Sequence, residues 1–336
     1  MRARFGVMTL PNTVRSAVAD AVLAEEVGFD WFGVGDSQSV FRELYATLAV
    51  CATATSRIKL GPTVTNPVTR HPAVSAAAMA TIEDLAAGRT VFGIGSGDSA
   101  VLNLGERPAR LAEMREYLES MRALLTGGAA RYRGKALNLS WPGHRIPLFL
   151  AAEGPKTLQL AGEVADGVIV NVGLHEPLVR EAVAHVHAGA TRAGRDPAEV
   201  ELWALARVNV CDDVAWGIDE IKMELASSAH HVFRFTLEGK HVPSEMVAAI
   251  ERVQREYQPA AHEELAGPNA ALVEEPALLG FLADRFAIVG PPAVCAERVR
   301  TIVRAGIPNI LFTGFVSDRE RLLRALGSDV LPAVNA

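Results

Sequence analysis

Four short stretches of this 336-residue chain place polar side chains among glycines and prolines, where the backbone is either freed or fixed. Gly35-Asp36-Ser37-Gln38-Ser39 offers a carboxylate that could act as a general base, accept from a ring N–H, or simply cap the next helix. Gly61-Pro62-Thr63-Val64-Thr65-Asn66-Pro67 is a ledge that could back a planar ring while Thr65 and Asn66 bond its edge; a plain turn is the other reading. Gly93-Ile94-Gly95-Ser96-Gly97-Asp98-Ser99 lets a ligand approach the backbone closely and ends in a second candidate acid or base, Asp98. Ala151-Ala152-Glu153-Gly154-Pro155-Lys156-Thr157 opens a helix, so free N–H groups, a cation and a hydroxyl converge in a pattern suited to phosphate; capping by Thr157 needs the same residues.

Other chemistries lack their residues. The glycines at 93–97 mimic a dinucleotide fingerprint, but that motif needs a first strand, an immediate helix and a later acidic residue. Here the helix waits until about Pro108. The cysteines, Cys51, Cys211 and Cys295, lie far apart without a CxxC pair, which argues for buried core thiols over a disulfide framework or a zinc site. His71 precedes Pro72 at a helix start, and His185 and His187 sit on an outer helix. No histidine pair meets a third ligand by spacing, so no metal is expected. No Ser-His-Asp or Cys-His arrangement presents itself.

Each polar stretch follows a short apolar run, and each run alternates with a helical pattern. Strands are expected at 4–8, 31–34, 58–61, 90–94, 146–151, 167–171, 200–210 and 309–313. Helices are expected at 14–27, 43–54, 71–87, 108–125, 157–164, 177–193, 214–226 and 318–326, with Asn12 or Thr13 capping the first and Gly28 and Gly88 as stops. The unit recurs at roughly 30-residue intervals, about what one strand-plus-helix unit needs. Eight such units fit a closed (β/α)8 barrel better than an open sheet. In a barrel, function sits at the C-terminal strand ends, which is where the four polar stretches fall.

Two segments stand outside the repeat. Residues 127–145, with Arg131-Tyr132-Arg133-Gly134 and Trp141-Pro142-Gly143, read as a polar hairpin or loop. Residues 227–291, with His230-His231, a helical stretch at 243–257 and a turn at 267–269, read as an insertion forming a lid or substrate wall in one single-domain chain, 1–336.

Bulk properties agree. The chain is 49% hydrophobic, 21% charged and only 6% aromatic, which suits a large barrel packed with small and branched residues. A net charge of −6 without a basic aromatic patch excludes a nucleic-acid footprint. The charged start, Met1-Arg2-Ala3-Arg4, is no signal peptide, and about 18 consecutive apolar residues occur nowhere, so a cytoplasmic enzyme off the membrane is expected.

Residues 60–98, LGPTVTNPVTRHPAVSAAAMATIEDLAAGRTVFGIGSGD, resemble the core of the luciferase-like monooxygenase superfamily, most of all its methylenetetrahydromethanopterin reductase branch. AAEGPKTLQLAGEVADGVIV (151–170) and FAIVGPP (286–292) resemble the same branch, and with FGVMTLPN and ELYATLA the similarity spans nearly all of the chain outside 227–285. The resemblance implies a barrel binding the deazaflavin F420, or FMN in related branches. It implies a non-proline cis peptide at Thr63-Val64 backing the ring, with Thr65, Asn66 and Gly97 beside it. Glu153, Gly154, Pro155 and Lys156 would meet the cofactor's phosphate end, with Val172 and Gly173 nearby. Asp98 falls where the sugar-phosphate dehydrogenase branch carries a catalytic glutamate.

Two departures bear on the substrate. Family members often have Asp-His after the second strand, where this chain has Asp36-Ser37, and the nearest branch has glutamate where Met8 stands. Asp36, Ser37 and Asp98 are then the groups left to handle protons. The expected function is F420-linked hydride transfer to or from a small organic substrate. The alternatives are a monooxygenase fed with reduced FMN and a non-catalytic flavin-binding barrel. The implied partners are a second copy of the chain, as a dimer, and a separate flavin or F420 reductase.

Overall fold

The computed structural model describes residues 2–141 and 143–336, so Met1 and Pro142 of the stretches above lie outside it. Its strands are β1 (Arg4–Thr9), β2 (Trp31–Val34), β3 (Lys59–Pro62), β4 (Phe92–Ile94), β5 (Ala130–Tyr132), β6 (Lys135–Leu137), β7 (Leu148–Ala152), β8 (Gly167–Val170), β9 (Glu201–Val210), β10 (Ala287–Gly290) and β11 (Asn309–Phe312). β5 and β6 form an antiparallel hairpin, the first of the two readings given for 127–145.

The other strands pair in parallel in the order β3-β2-β1-β11-β9-β8-β7-β4. The ends of that series, β3 and β4, meet through two single bridges, Leu60 to Thr90 and Thr65 to Ile94. Eight strands thus close a barrel, as the alternation of elements predicts.

Local signals behave as expected. Thr13 accepts from Ser16 N–H at the start of helix Val14–Glu26, and His71 with Pro72 opens helix Pro72–Ala86. The predicted helix at 108–125 begins later, at Leu111, with Glu113 closing back on Arg110 N–H.

Two differences matter for the site. The helix expected at 214–226 is two helices, Val214–Glu220 and Lys222–Phe233. The Gly217 carbonyl accepts from Asn209 Nδ2 at 3.2 Å, while Ile221 N–H turns to Ile218 O. The second helix therefore starts afresh and carries His230 and His231 over the barrel mouth. Secondly, the 227–291 segment does not end outside the sheet. β10 pairs with β9 at residues 207–210, beyond the stretch where β11 pairs with residues 203–206. Four residues after a helix show no periodicity that would separate strand from helix in the sequence alone.

The core has two parts. One lies between the barrel and its helices. The other plugs the barrel itself: Trp31, Val91, Phe149, Ile169, Trp203 and Leu311, with Val64, Ala151 and Leu205 against them. Trp31 meets Trp203 edge-on at 5.1 Å and Phe149 at 5.5 Å. This plug forms the floor on which the functional site stands. Among the described residues no helix is long and apolar enough to cross a membrane.

Candidate active site

The ledge after β3 is a bulge. Between its two bridges to the β4 strand, β3 takes five steps where the partner takes four. The Thr63-Val64 peptide inside it is cis. Thr63 N–H donates to Val34 O at 2.8 Å, Thr65 N–H to Gly93 O at 3.0 Å, and Gly95 N–H to Thr65 O at 2.8 Å, so both neighbouring strands hold it. A β-carbon on Gly61 would lie 1.8 Å from Val91 O, which is why a glycine is required there.

Asp36 anchors this ledge. Its carboxylate accepts from Thr65 Oγ1 at 2.7 Å and is ion-paired to Arg70, whose other arm holds Glu43 at 2.9 Å. It does not cap the next helix; Glu43 does, accepting from Ala46 N–H. Ser37 is buried and donates to Ser99 Oγ at 2.8 Å. Asn66 turns its Oδ1 back to Val68 and Thr69 N–H, fixing the loop. Thr63 Oγ1 is buried without a partner among the described residues.

Above the plug lies a cavity of about 160 Å³. Asp36, Ser37, Thr63 to Asn66, Gly97, Asp98 and Glu153 all line it, so the turns after β2, β3, β4 and β7 do converge. The opposite wall comes from the segment after β9. Asp98 Oδ1 takes Arg234 Nη1 at 2.6 Å and His230 Nε2 at 3.1 Å. His231 Nε2 is 3.2 Å and His262 Nδ1 3.9 Å from Asp98 Oδ2.

Burial works to raise the Asp98 pKa, but His231, His230, Arg234 and His262 outweigh it and hold the carboxyl well below its usual range. Burial pushes the His231 ring well below its ordinary value, against the pull of Asp98. His230 stacks on Tyr257 at 4.1 Å.

The β7–β9 side carries a polar chain. Asn171 Nδ2 donates to Glu153 Oε1 at 3.0 Å, and Arg207 Nη1 donates to Asn171 Oδ1 at 2.7 Å. Arg207 is only 3% exposed, and burial pushes its pKa down. Glu224 lies close by, accepting from Thr313 Oγ1, Gly314 N–H and Phe315 N–H. Burial, reinforced by Glu263, pushes its pKa up to about 7.

Residues 1–309 match the family model for luciferase-like monooxygenases. This chain belongs to that family. The 5,10-methylenetetrahydromethanopterin reductase of Methanolobus tindarius is 31% identical over 97% of the chain and 99% of its own length. An F420-dependent glucose-6-phosphate dehydrogenase of Nocardia farcinica is 29% identical over 96% of the chain and 94% of its own. The solved structure of the coenzyme F420-dependent tetrahydromethanopterin reductase of Methanopyrus kandleri superposes with a TM-score of 0.80 at 26% identity, covering 99% of both chains.

In this luciferase-like barrel the expected phosphate end is a separate hollow of about 20 Å³, next to the main cavity and sharing Glu153 with it. Gly154, Pro155 and Val172 line it. Gly154 caps helix Pro155–Val164 with no side-chain bond to the first-turn N–H groups. Lys156 is exposed and lines neither hollow. The cations there are Lys240 and Arg285, both buried, and Arg285 donates to Val172 O at 3.0 and 2.8 Å. Gly173, at φ +117°, lies against the Arg285 side chain.

Sequence reasoning missed His230, His231, Arg234, His262, Lys240 and Arg285, all from the segment after β9. The run His230-His231 followed by Arg234 on a helix end was the available signal. The absence of a third ligand for any histidine pair, read from spacing, is also revised: Asp98 brings His231 and His262 together.

Proposed function

We propose that this luciferase-like chain is an oxidoreductase that seats the deazaflavin F420 at the barrel mouth and passes a hydride to or from a small organic substrate. The observation that carries the reading is the Thr63–Asn66 ledge, set between an apolar plug and a polar-walled cavity. Relatives bearing F420 chemistry in their names, matched over nearly the whole chain, support it.

The residues present fit such a group. A tricycle needs a flat apolar backing, and Val64, Ala151, Ile169 and Leu311 provide one at the cavity floor. Its polar edge needs partners, and the buried Thr63 hydroxyl has none of its own among the described residues. An anionic tail needs donors and cations. The uncapped N–H groups of Gly154 and Lys156 and the side chains of Lys240 and Arg285 would hold it.

Bound there, F420 supplies the two-electron carrier. The chain's own groups do the rest. Asp36 fixes the ledge through Thr65 and Arg70. The paired hydroxyls of Ser37 and Ser99 stand where a proton can be passed to a substrate oxygen. Asp98, kept ionised, orients the lid rather than donating. The segment after β9 closes the cavity against water and meets the substrate. A homodimer and a separate F420 reductase complete the reading.

Titration of the purified protein with F420 and, separately, with FMN tests it, followed by the fluorescence of each. F420 is expected to bind in the micromolar range and FMN far more weakly. Preference for FMN would replace the reading with a reduced-flavin monooxygenase, and binding of neither would remove it. Gel filtration of the same sample tests the dimer.

A further inference from the structure

We propose that Asp98, His231 and His262 form a site for one borderline divalent transition-metal ion of the zinc class on the cavity wall. One ligand atom from each residue lies within 4.8 Å of the other two. His231 Nε2 stands 3.2 Å and His262 Nδ1 3.9 Å from Asp98 Oδ2. Metal–ligand bonds of about 2.0–2.2 Å at tetrahedral angles space neighbouring donors roughly 3.3–3.5 Å apart. Small side-chain adjustments therefore bring all three into register.

The two oxygens of Asp98 are treated differently. Oδ1 is occupied by Arg234 and His230. Oδ2 is buried and accepts no hydrogen bond among the described residues, with His231 Nε2 3.2 Å away. A carboxylate oxygen buried without a donor is costly, and a cation shared with two imidazoles satisfies it. Arg234 and His230 then act as the outer partners that orient a ligating carboxylate. Two imidazoles and one carboxylate suit zinc, iron or cobalt rather than magnesium or calcium.

The remaining partner of the cluster is a buried phenol. Tyr257 Oη now lies 2.7 Å from His262 Nδ1. All three ligands line the cavity in which a substrate would lie. A metal there would polarise a substrate oxygen as a Lewis acid. The Arg234 guanidinium on Oδ1 opposes a second positive charge, so micromolar affinity is expected. The site does not depend on the identity of the redox cofactor.

The test uses tag-free, chelator-stripped protein titrated with Co²⁺. One equivalent is expected to bind with the visible ligand-field bands of a low-coordinate nitrogen–oxygen site, and Zn²⁺ should displace it. Asp98→Asn, His231→Gln and His262→Gln are each expected to weaken binding by at least about 100-fold, the upper end seen for outer-shell partners. His262→Cys should still bind and add a thiolate charge-transfer band, which keeps the test valid should a glutamine variant fold poorly. His187→Gln, on the outer helix, should change nothing. Absence of ligand-field bands, binding indifferent to His231→Gln, or a His262→Cys protein that binds Co²⁺ without a thiolate band overturns the site.

Discussion

Arg234 Nη1 donates to Asp98 Oδ1 at 2.6 Å although 136 residues separate the two in the chain. The same guanidinium donates through Nη2 to Ser96 Oγ at 3.0 Å. One side chain thus fastens the segment after β9 to the loop after β4, and the cavity exists because those two pieces are held across it. Arg234 and Asp98 side chains are each only 10% exposed, so the pair is shielded from water and salt.

Arg234→Leu should leave Asp98 ionised with fewer partners and cost about 3 kcal/mol, as expected when one member of a buried pair is removed. Urea unfolding measures this. A double variant, Asp98→Leu with Arg234→Leu, should recover part of the loss. A single variant as stable as the parent would mean the fastening contributes nothing.

Glu224 sets a pH dependence. Burial lifts its pKa from 4.5 to about 7, so the folded protein holds this proton more tightly than the unfolded chain does. Stability from this group is therefore complete below about pH 4.5, falls as pH rises toward 7, and levels off above, by up to about 3 kcal/mol in all. Melting temperature measured across that range should show the decline, and Glu224→Gln should flatten it. A Glu224→Gln protein with the parent's slope would assign the dependence elsewhere.

Gly61→Ala should disrupt the ledge. Its β-carbon would come within 1.8 Å of Val91 O, a backbone atom that cannot swing away like a side chain. Overpacking of this kind costs roughly 1–3 kcal/mol or more, and F420 binding should fall along with stability. Unchanged affinity in a protein of lowered melting temperature would separate the ledge from the cofactor.

Arg285→Met probes the anionic tail. Charge-assisted hydrogen bonds contribute roughly 1.5–3 kcal/mol, so affinity for F420 should fall about 10- to 100-fold. Affinity for a deazaflavin lacking the phosphate tail should not change. Equal losses for both ligands would place the tail elsewhere.

The barrel was legible because each strand and helix is a local event. Apolar runs such as Trp31–Val34 and punctuation such as His71-Pro72 and Gly88 are written within a few residues of one another. The polar turns after β2, β3, β4 and β7 were legible for the same reason, and the structure gathers Asp36, Ser37, Thr63 to Asn66, Gly97, Asp98 and Glu153 around one cavity, leaving Gly154, Pro155 and Lys156 outside it. β10 was not, because four apolar residues following a helix carry no period of their own.

The far wall of the cavity is a product of packing. Read along the chain, Asp98 falls in a glycine-rich turn after the fourth strand, and histidines occur in a later segment. The sequence could not state that His230, His231, Arg234 and His262 reach that one carboxylate, nor that Asp36 would take Arg70 instead of a helix end. Those pairings form between residues distant in the chain, chosen by how the helix Lys222–Phe233 packs across the mouth. Pairing of buried charges depends on which groups share a water-poor space, and that is a property of packing which no spacing along the chain encodes.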